Sequence, residues 1–314
     1  MYRIGVDLGG TNIAVGLVNE HAELLLKKSC PTGADRPGEQ IVDDIAALCL
    51  AVCQESGVAK EEIESVGIAS PGIANSETGV VEYANNLPFR QFPIADLLKE
   101  RTGFPKVRIG NDANAAAWGE AVAGAAKGTK NSVMITLGTG VGGGIILNNE
   151  IYSGFNHAGG ELGHIVIEVD GAPCSCGRRG CWEAYSSATA LIRMTQEKID
   201  ECRATGRPTI MTDKPKISGR TACDAMRVGD EAAKEVYDRY VKYLATGLTN
   251  IINIFQPEVI SLGGGVSGEG QSLIDALLPI IRSEQYGGDM ALRTEIRIAT
   301  LGNDAGIIGA AMLK

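Results

Sequence analysis

Cys174, Cys176 and Cys181 fall within eight residues, and His164 is the nearest nitrogen ligand upstream. Thiolates at this spacing, with Gly177 and Gly180 letting the backbone turn tightly, suit convergence on one tetrahedral ion. Zinc is the ion such a set favours. Three sulfurs and one imidazole fill its coordination, which predicts a structural site rather than a catalytic one. A redox pair or a disulfide staple would use the same cysteines, but the spacing and the lack of a secretory segment favour the metal. Carboxylates stand at both ends of the cluster, Glu161 three residues before His164 and Glu183 two after Cys181. A metal that pins the segments bearing both would position polar groups around a small polar ligand.

Other polar residues stand where secondary structure changes. Asn111 and Asp112 lie between a short strand, 106–109, and an alanine-rich helix running to about Ala126. Either side chain would serve as that helix's N-cap. In the turn Tyr83-Ala84-Asn85-Asn86-Leu87-Pro88-Phe89, the two amides would bind the hydroxyls of a sugar, Asn86 before Asn85, or cap the helix that follows. Asp7-Leu8-Gly9-Gly10-Thr11-Asn12 is a glycine turn between strands 2–8 and 13–18. No lysine follows its glycines and no helix opens there, which excludes a Walker loop. A second strand, glycine turn, strand unit runs from Val133 through Gly138-Thr139-Gly140 to Leu147 and echoes the first, suggesting an internal duplication. A third glycine run, Gly263-Gly264-Gly265, ends a buried strand at 257–262 and reads on its own as a flexible strand-to-helix turn.

The elements that must hold these groups alternate between strand and helix. A third strand is expected at 24–28, a helix at 37–55, a buried strand at 66–69 ending in Ser70-Pro71-Gly72, and long helices at 184–204 and 218–255 flanking a polar loop at 205–216. A small-residue helix closes the sequence at Lys314. A chain of 314 residues exceeds the size at which one core stays undivided, so two domains or one large α/β unit are expected. No apolar run reaches membrane-spanning length, and a net charge of −9 argues against a nucleic acid held by bulk electrostatics. The sequence opens directly on a strand without the regions of a signal peptide, so a cytoplasmic protein with Cys30, Cys49, Cys53, Cys202 and Cys223 as thiols is expected. Cys49 and Cys53, four apart, should face a helix core.

Taken in order, the first glycine turn, Gly110-Asn-Asp-Ala-Asn114, Gly138-Thr-Gly-Val-Gly-Gly-Gly144, Gly160-Glu-Leu-Gly-His164 and the Cys174 to Glu183 cluster resemble the ROK family of bacterial sugar kinases and repressors over nearly the whole chain. The Asn86-Leu-Pro segment looks like the glucokinases of that family, and the Asp7 to Asn12 turn resembles the first phosphate loop of the actin, hexokinase and Hsp70 superfamily. The resemblance implies an α/β, actin-like, hexokinase-type (ribonuclease H-like) duplicated fold with two domains around a cleft: 1–115 plus 300–314, and 116–299 carrying the zinc loop. It implies ATP and Mg2+ as cofactors beside structural zinc. Gly9, Gly10, Thr11 and Asn12 would contact phosphate with Asp7 on the magnesium side, Gly138 and Thr139 would form the second phosphate loop, and Gly264 and Gly265 would flank the adenosine. Asp112 would be the general base for a hexose 6-hydroxyl. Asn86, Asn111, Glu161, His164 and Glu183 would hold the sugar, His164 through the ring nitrogen not bound to zinc. Glucose is the expected substrate, with N-acetylmannosamine, fructose or allose as alternatives, and polyphosphate is open as donor. The family's repressors carry an N-terminal helix-turn-helix for which a chain opening on a sheet strand has no room. A homodimer or homotetramer without nucleic-acid or membrane partners is implied.

Overall fold

The computed structural model describes residues 1–213, 216–287 and 293–314. They divide into two compact units: unit 1 is Met1–Met134, Gly144–Gly160 and Ala299–Lys314, and unit 2 is Ile135–Gly143 and Glu161–Ile298.

In chain order the first elements are β1 (Tyr2–Leu8), β2 (Asn12–Asn19), β3 (Leu24–Pro31), α1 (Gly38–Ser56), β4 (Ile63–Ser70), β5 (Ile73–Asn75), β6 (Val80–Tyr83), β7 (Arg90–Phe92), α2 (Ile94–Thr102), β8 (Val107–Asn111) and α3 (Asp112–Val122). There follow β9 (Ser132–Leu137), β10 (Val141–Leu147), β11 (Glu150–Tyr152), α4 (Glu183–Ser186), α5 (Ala188–Thr205), α6 (Thr221–Arg227), α7 (Glu231–Phe255), β12 (Val259–Gly263), α8 (Gln271–Glu284), β13 (Glu295–Ile298) and α9 (Ala305–Ala311).

The sheet of unit 1 has the order β3-β2-β1-β4-β8. β1, β2 and β3 form an antiparallel meander, whereas β1 pairs with β4 and β4 with β8 in parallel. On one face lies α1. Its buried residues Ile41, Ile45, Cys49 and Val52 recur at helical spacing and join Ile4, Val6, Val15, Val66 and Ile68 in one core. Complete burial of each aliphatic side chain contributes about 1.5–3 kcal/mol. Against the sheet also lies α9, at backbone contact distance: a side chain at Gly5 would collide with the Ile307 carbonyl, and one at Gly67 with that of Ala310. This approach explains why the closing helix is built from small residues. It also groups α3 with this unit, because Gly119 and Gly309 bring α3 and α9 together in the same way.

A second five-stranded sheet has the order β11-β10-β9-β12-β13, with β10–β11 antiparallel and β12–β13 parallel. The molecule is therefore α/β, with strands and helices alternating along the chain. Several expectations shift in detail. The stretch 184–204 divides into α4 and α5 at Ser187, whose side chain caps α5, and 218–255 divides into α6 and α7 at Asp230, which caps α7. The alanine-rich helix stops at Val122, short of Ala126. The polar loop holds a short 3-10 turn at Ile210–Asp213, and its residues 214–215 lie outside the described residues. The small β5-β6-β7 sheet and β11 are elements that the sequence pattern did not reveal, while the helices expected after the Asn86 turn and after the third glycine run are α2 and α8.

Candidate functional site

In unit 1, the candidate residues gather at the carboxyl ends of the parallel strands. Register pairs Asp7 of β1 with Ala69 of β4, Ala69 with Gly110 of β8, and Ser70 with Asn111. Asp7 and the Asn111-Asp112 pair thus stand at one end of one sheet, where α/β folds bind ligands. Asn111 is the N-cap of α3: its Oδ1 accepts from the Asn114 amide at 3.1 Å, and its Nδ2 donates to the Gly72 carbonyl at 3.1 Å. Capping therefore falls to Asn111, and Asp112 is the first helical residue. Its carboxylate accepts from the adjacent Ala113 amide at 2.8 Å. Burial raises the Asp112 pKa, against the opposing pull of backbone and Asn111 hydrogen bonds. Asp7 is pushed up to about 6, first by burial and then by the Asp112 charge. Its carboxylate lies against the first turn of α9, where a Cβ on Gly306 would come within 2.7 Å of Oδ2.

The first glycine turn closes on itself. Gly9 donates its amide to the Asn12 carbonyl at 2.9 Å, and the Thr32 hydroxyl donates to the Gly9 carbonyl at 2.6 Å. Gly9 thus spends its N–H within the turn, while Gly10, Thr11 and Asn12 are exposed. A Cβ on Gly10 would lie 3.5 Å from the Asn86 Cβ, which brings Asn86 beside this turn. Asn85 is tied between the Tyr83 hydroxyl, which it accepts from at 3.1 Å, and Asn86 Oδ1, to which it donates at 3.4 Å. Neither amide caps a helix, because α2 starts only at Ile94 after Pro93.

In unit 2, the ligand atoms of His164, Cys174, Cys176 and Cys181 all lie within 4.8 Å of one another. Cys176 Sγ is 3.7 Å from Cys181 Sγ, and Cys174 Sγ is 3.7 Å from His164 Nδ1. A disulfide needs about 2.05 Å between sulfurs, whereas two thiolates on one tetrahedral zinc at ~2.3 Å stand about 3.8 Å apart. The donor chemistry and spacing therefore suit a metal. Gly177 and Gly180 take φ of 87° and 75°, and a side chain at Gly180 would collide with the Glu168 carbonyl. Trp182, fully buried, anchors the loop: its indole fills the space over Gly247 of α7, and its Nε1 donates to the Tyr243 carbonyl at 3.0 Å.

Glu183 joins this loop to the second glycine turn. Its Oε2 accepts from the Val141 amide at 3.0 Å, and its Oε1 accepts from the Ser175 hydroxyl at 3.0 Å and from the Cys174 thiol at 3.6 Å. A Cβ on Gly140 would press on the Glu183 carboxylate, so a side chain there would displace that carboxylate from the Val141 amide. Glu161 precedes the 3-10 turn Leu162–His164, is exposed, and accepts the His164 amide on its carbonyl at 3.1 Å, which leaves its carboxylate available. The Gly138 carbonyl accepts from the Ala188 amide at 2.8 Å, and the Thr139 carbonyl from the Thr189 hydroxyl at 2.8 Å, so the turn rests on the start of α5. Gly264, with φ 85°, packs on the backbone of Leu137, a Cβ there coming within 2.6 Å. The turns at Gly138 and Gly264 are therefore neighbours, and a Cβ on Gly265 would meet nothing within 4 Å.

The structure adds partners that sequence reasoning missed. The Gly72 carbonyl, the Ser175 hydroxyl and the Val141 amide each hold a candidate side chain, and Gly306 lies against Asp7. Only Gly306 had a signal, the small-residue run following Gly302.

With this geometry in view, comparison with known proteins gives the class. Residues 3–314 match the model of the ROK family, and the chain belongs to that family. A glucokinase of Halalkalibacterium halodurans is 38% identical over 99% of this chain and 94% of its own length. The crystal structure of a ROK family glucokinase from Streptomyces griseus in complex with glucose and AMPPNP is similar with a TM-score of 0.78 and 35% identity, covering 99% of this chain and 98% of that one. The ROK hexokinase from Thermus thermophilus superposes with a TM-score of 0.82 at 35% identity, covering 99% and 97%.

Proposed function

We propose that this protein is an ATP-dependent glucokinase that transfers the γ-phosphoryl group to the 6-hydroxyl of glucose. The observation that carries the reading is Asp112: a half-buried carboxylate at a sheet end, close enough to Asp7 to raise its pKa and released from helix capping by Asn111. The glucokinases it resembles point to the same chemistry. Asp112 accepts the proton of the attacking hydroxyl as general base. Phosphoryl transfer depends chiefly on alignment and charge neutralisation. Gly10, Thr11 and Asn12 of the first turn, Gly138 and Thr139 of the second, and Gly264 and Gly265 of the third therefore serve the nucleotide. Gly9 shapes the first turn. Mg2+ would be held on the Asp7 side and would neutralise phosphoryl oxygens.

Asn86, Glu161, His164, Glu183 and Asn111 serve the sugar hydroxyls. For Asn111 and Glu183 this duty comes on top of the hydrogen bonds they already make, so both act as held groups rather than free ones. The four-ligand cluster takes a structural zinc, with His164 bound through Nδ1 and donating from Nε2, an arrangement that fixes the tautomer and the ring orientation. The two five-stranded sheets are the halves of a duplicated, actin-like fold.

A coupled ADP-release assay with ATP and glucose, N-acetylmannosamine, fructose, mannose and allose tests the assignment. Glucose is expected to give the highest kcat/KM. Turnover of another sugar alone would move the protein to a different kinase of the family, and no turnover with any would overturn the reading. Polyphosphate offered in place of ATP tests the donor in the same assay.

A further inference from the structure

Unit 1 contains a cavity of about 220 Å³ lined in part by Asn114 and Trp118 of α3. Asn111, Asn114, Ser153 and His157 contribute polar groups to its lining, and Trp118 and Leu313 apolar ones. Asp7, the Gly9 to Asn12 turn, Asn86 and Asp112 do not line it. Asn111, proposed above to serve the sugar, does line it, so the cavity adjoins the acceptor site at that residue.

Asn114 makes this cavity more than a packing defect. The residue is only 6% exposed, yet its carboxamide has no hydrogen-bond partner among the described residues. Its Oδ1 and Nδ2 are not among the fully enclosed polar atoms left unpartnered, so both are open to a partner from the cavity that the residue lines. A carboxamide presents one acceptor and two N–H donors, and a hydroxyl, which both donates and accepts, answers both. His157 is also held at φ 61°, a left-handed backbone that a non-glycine residue adopts at a cost and that gathers at ligand sites. Charge does not single out an ionic occupant: the lining carries both Glu150 and Lys314, whose ammonium donates to the Asn149 carbonyl at 3.0 Å and lies 4.9 Å over the Trp118 ring. The volume is below the ~300–1,000 Å³ of clefts for drug-sized ligands, which limits the occupant to monosaccharide size or less.

We infer that this cavity is a second binding site, for a small neutral polyol, separate from the acceptor site and bearing through Asn111 on the turn that carries Asp112. The inference goes beyond the kinase assignment and does not depend on it, because its test reads binding rather than turnover.

The chain has two tryptophans, Trp118 and Trp182, and Trp118 alone lines the cavity. Protein labelled with 5-fluorotryptophan should show two fluorine resonances, assigned through Trp182→Phe. The probe is myo-inositol, which has no primary hydroxyl and so cannot stand in as a 6-hydroxyl acceptor. A saturable shift of the Trp118 resonance is expected, persisting at saturating glucose and weakened at least about tenfold by Asn114→Leu, as the loss of buried hydrogen bonds dictates. Ser153→Leu, at another lining residue, should weaken it likewise and covers the case in which the buried replacement does not fold. Three results would each overturn the site: no shift, meaning the cavity holds water only; a shift competed away by glucose, meaning the acceptor site is the binder; or a shift that both variants leave unchanged.

Discussion

Asp7 and Asp112 show how one residue's environment sets its neighbour's charge. Asp7 takes up a proton at about pH 6, well above an ordinary aspartate, because it is buried and because Asp112 adds negative charge nearby. A raised carboxylate pKa means that the folded chain prefers the protonated form. The associated stability is therefore complete below the unfolded value of 3.8 and is lost as pH rises to about 6. The difference between those two values corresponds to roughly 3 kcal/mol. In metal-free protein, the stability difference between wild type and Asp7→Asn, measured by urea unfolding, should swing in the variant's favour across that window and stay flat above it. Asp112→Asn removes the second cause but leaves the burial, so Asp7 should titrate lower yet still above 3.8, as carbon NMR of the carboxyl would read. The same substitution should leave sugar binding intact and lower kcat by about 10²–10⁴-fold, the usual worth of a general base. Near-normal turnover would remove Asp112 from that role. The sequence could show an Asn-Asp pair at a helix start. It could not show which of the two caps, because that depends on where the Gly72 carbonyl stops Asn111.

At the scale of elements, the placement of Asp112 depends on the far end of its helix. Glu120 of α3 is completely buried, and its carboxylate accepts from the amides of Ala125 at 2.6 Å, Thr300 at 2.9 Å and Leu301 at 2.8 Å. It ties α3 to the turn leading into α9. Glu120→Gln keeps the shape but turns an acceptor into an N–H donor facing amide donors, so a loss on the order of 3 kcal/mol or more is expected in urea unfolding. A change under about 1 kcal/mol would show the anchor to be dispensable. The cysteine loop is an element of another kind, held by Trp182 on one side and by its proposed ion on the other. Metal analysis should find about one zinc per chain. Chelation should raise amide exchange selectively over residues 161–183 and abolish activity, whereas a metal-free, fully active enzyme would discard the clamp. The loop was readable in advance because cysteine spacing records a geometry within one short segment. Nothing in Glu120's surroundings in sequence signals its partners 180 residues away, and the β5-β6-β7 sheet escaped notice because three- and four-residue strands carry too short a period to detect.

For the whole molecule, the repeated strand, glycine turn, strand pattern was legible because alternation and glycine runs are local. The discontinuity of the units was less so: that the closing small-residue helix packs against the first sheet follows from Gly5 and Gly67 admitting backbone contact, a complementarity visible only once β1 and β4 are neighbours. Formal net charge, in contrast, is counted from the sequence alone. At −9 with a pI near 5.0, the chain repels a polyanion at neutral pH, and the ROK family's division between kinases and repressors makes this a functional test. Binding to duplex DNA draws its non-specific affinity from released counterions, one for each phosphate neutralised, and is strongest at low salt. This protein should therefore show no retardation of duplex DNA even at ~50 mM salt, with or without sugar, in a mobility-shift titration to micromolar protein. Retention that weakens steeply between about 50 and 200 mM salt, with the log-log slope of several phosphate contacts, would require a concentrated basic surface that the overall charge conceals, and would return the protein to the regulatory branch of its family.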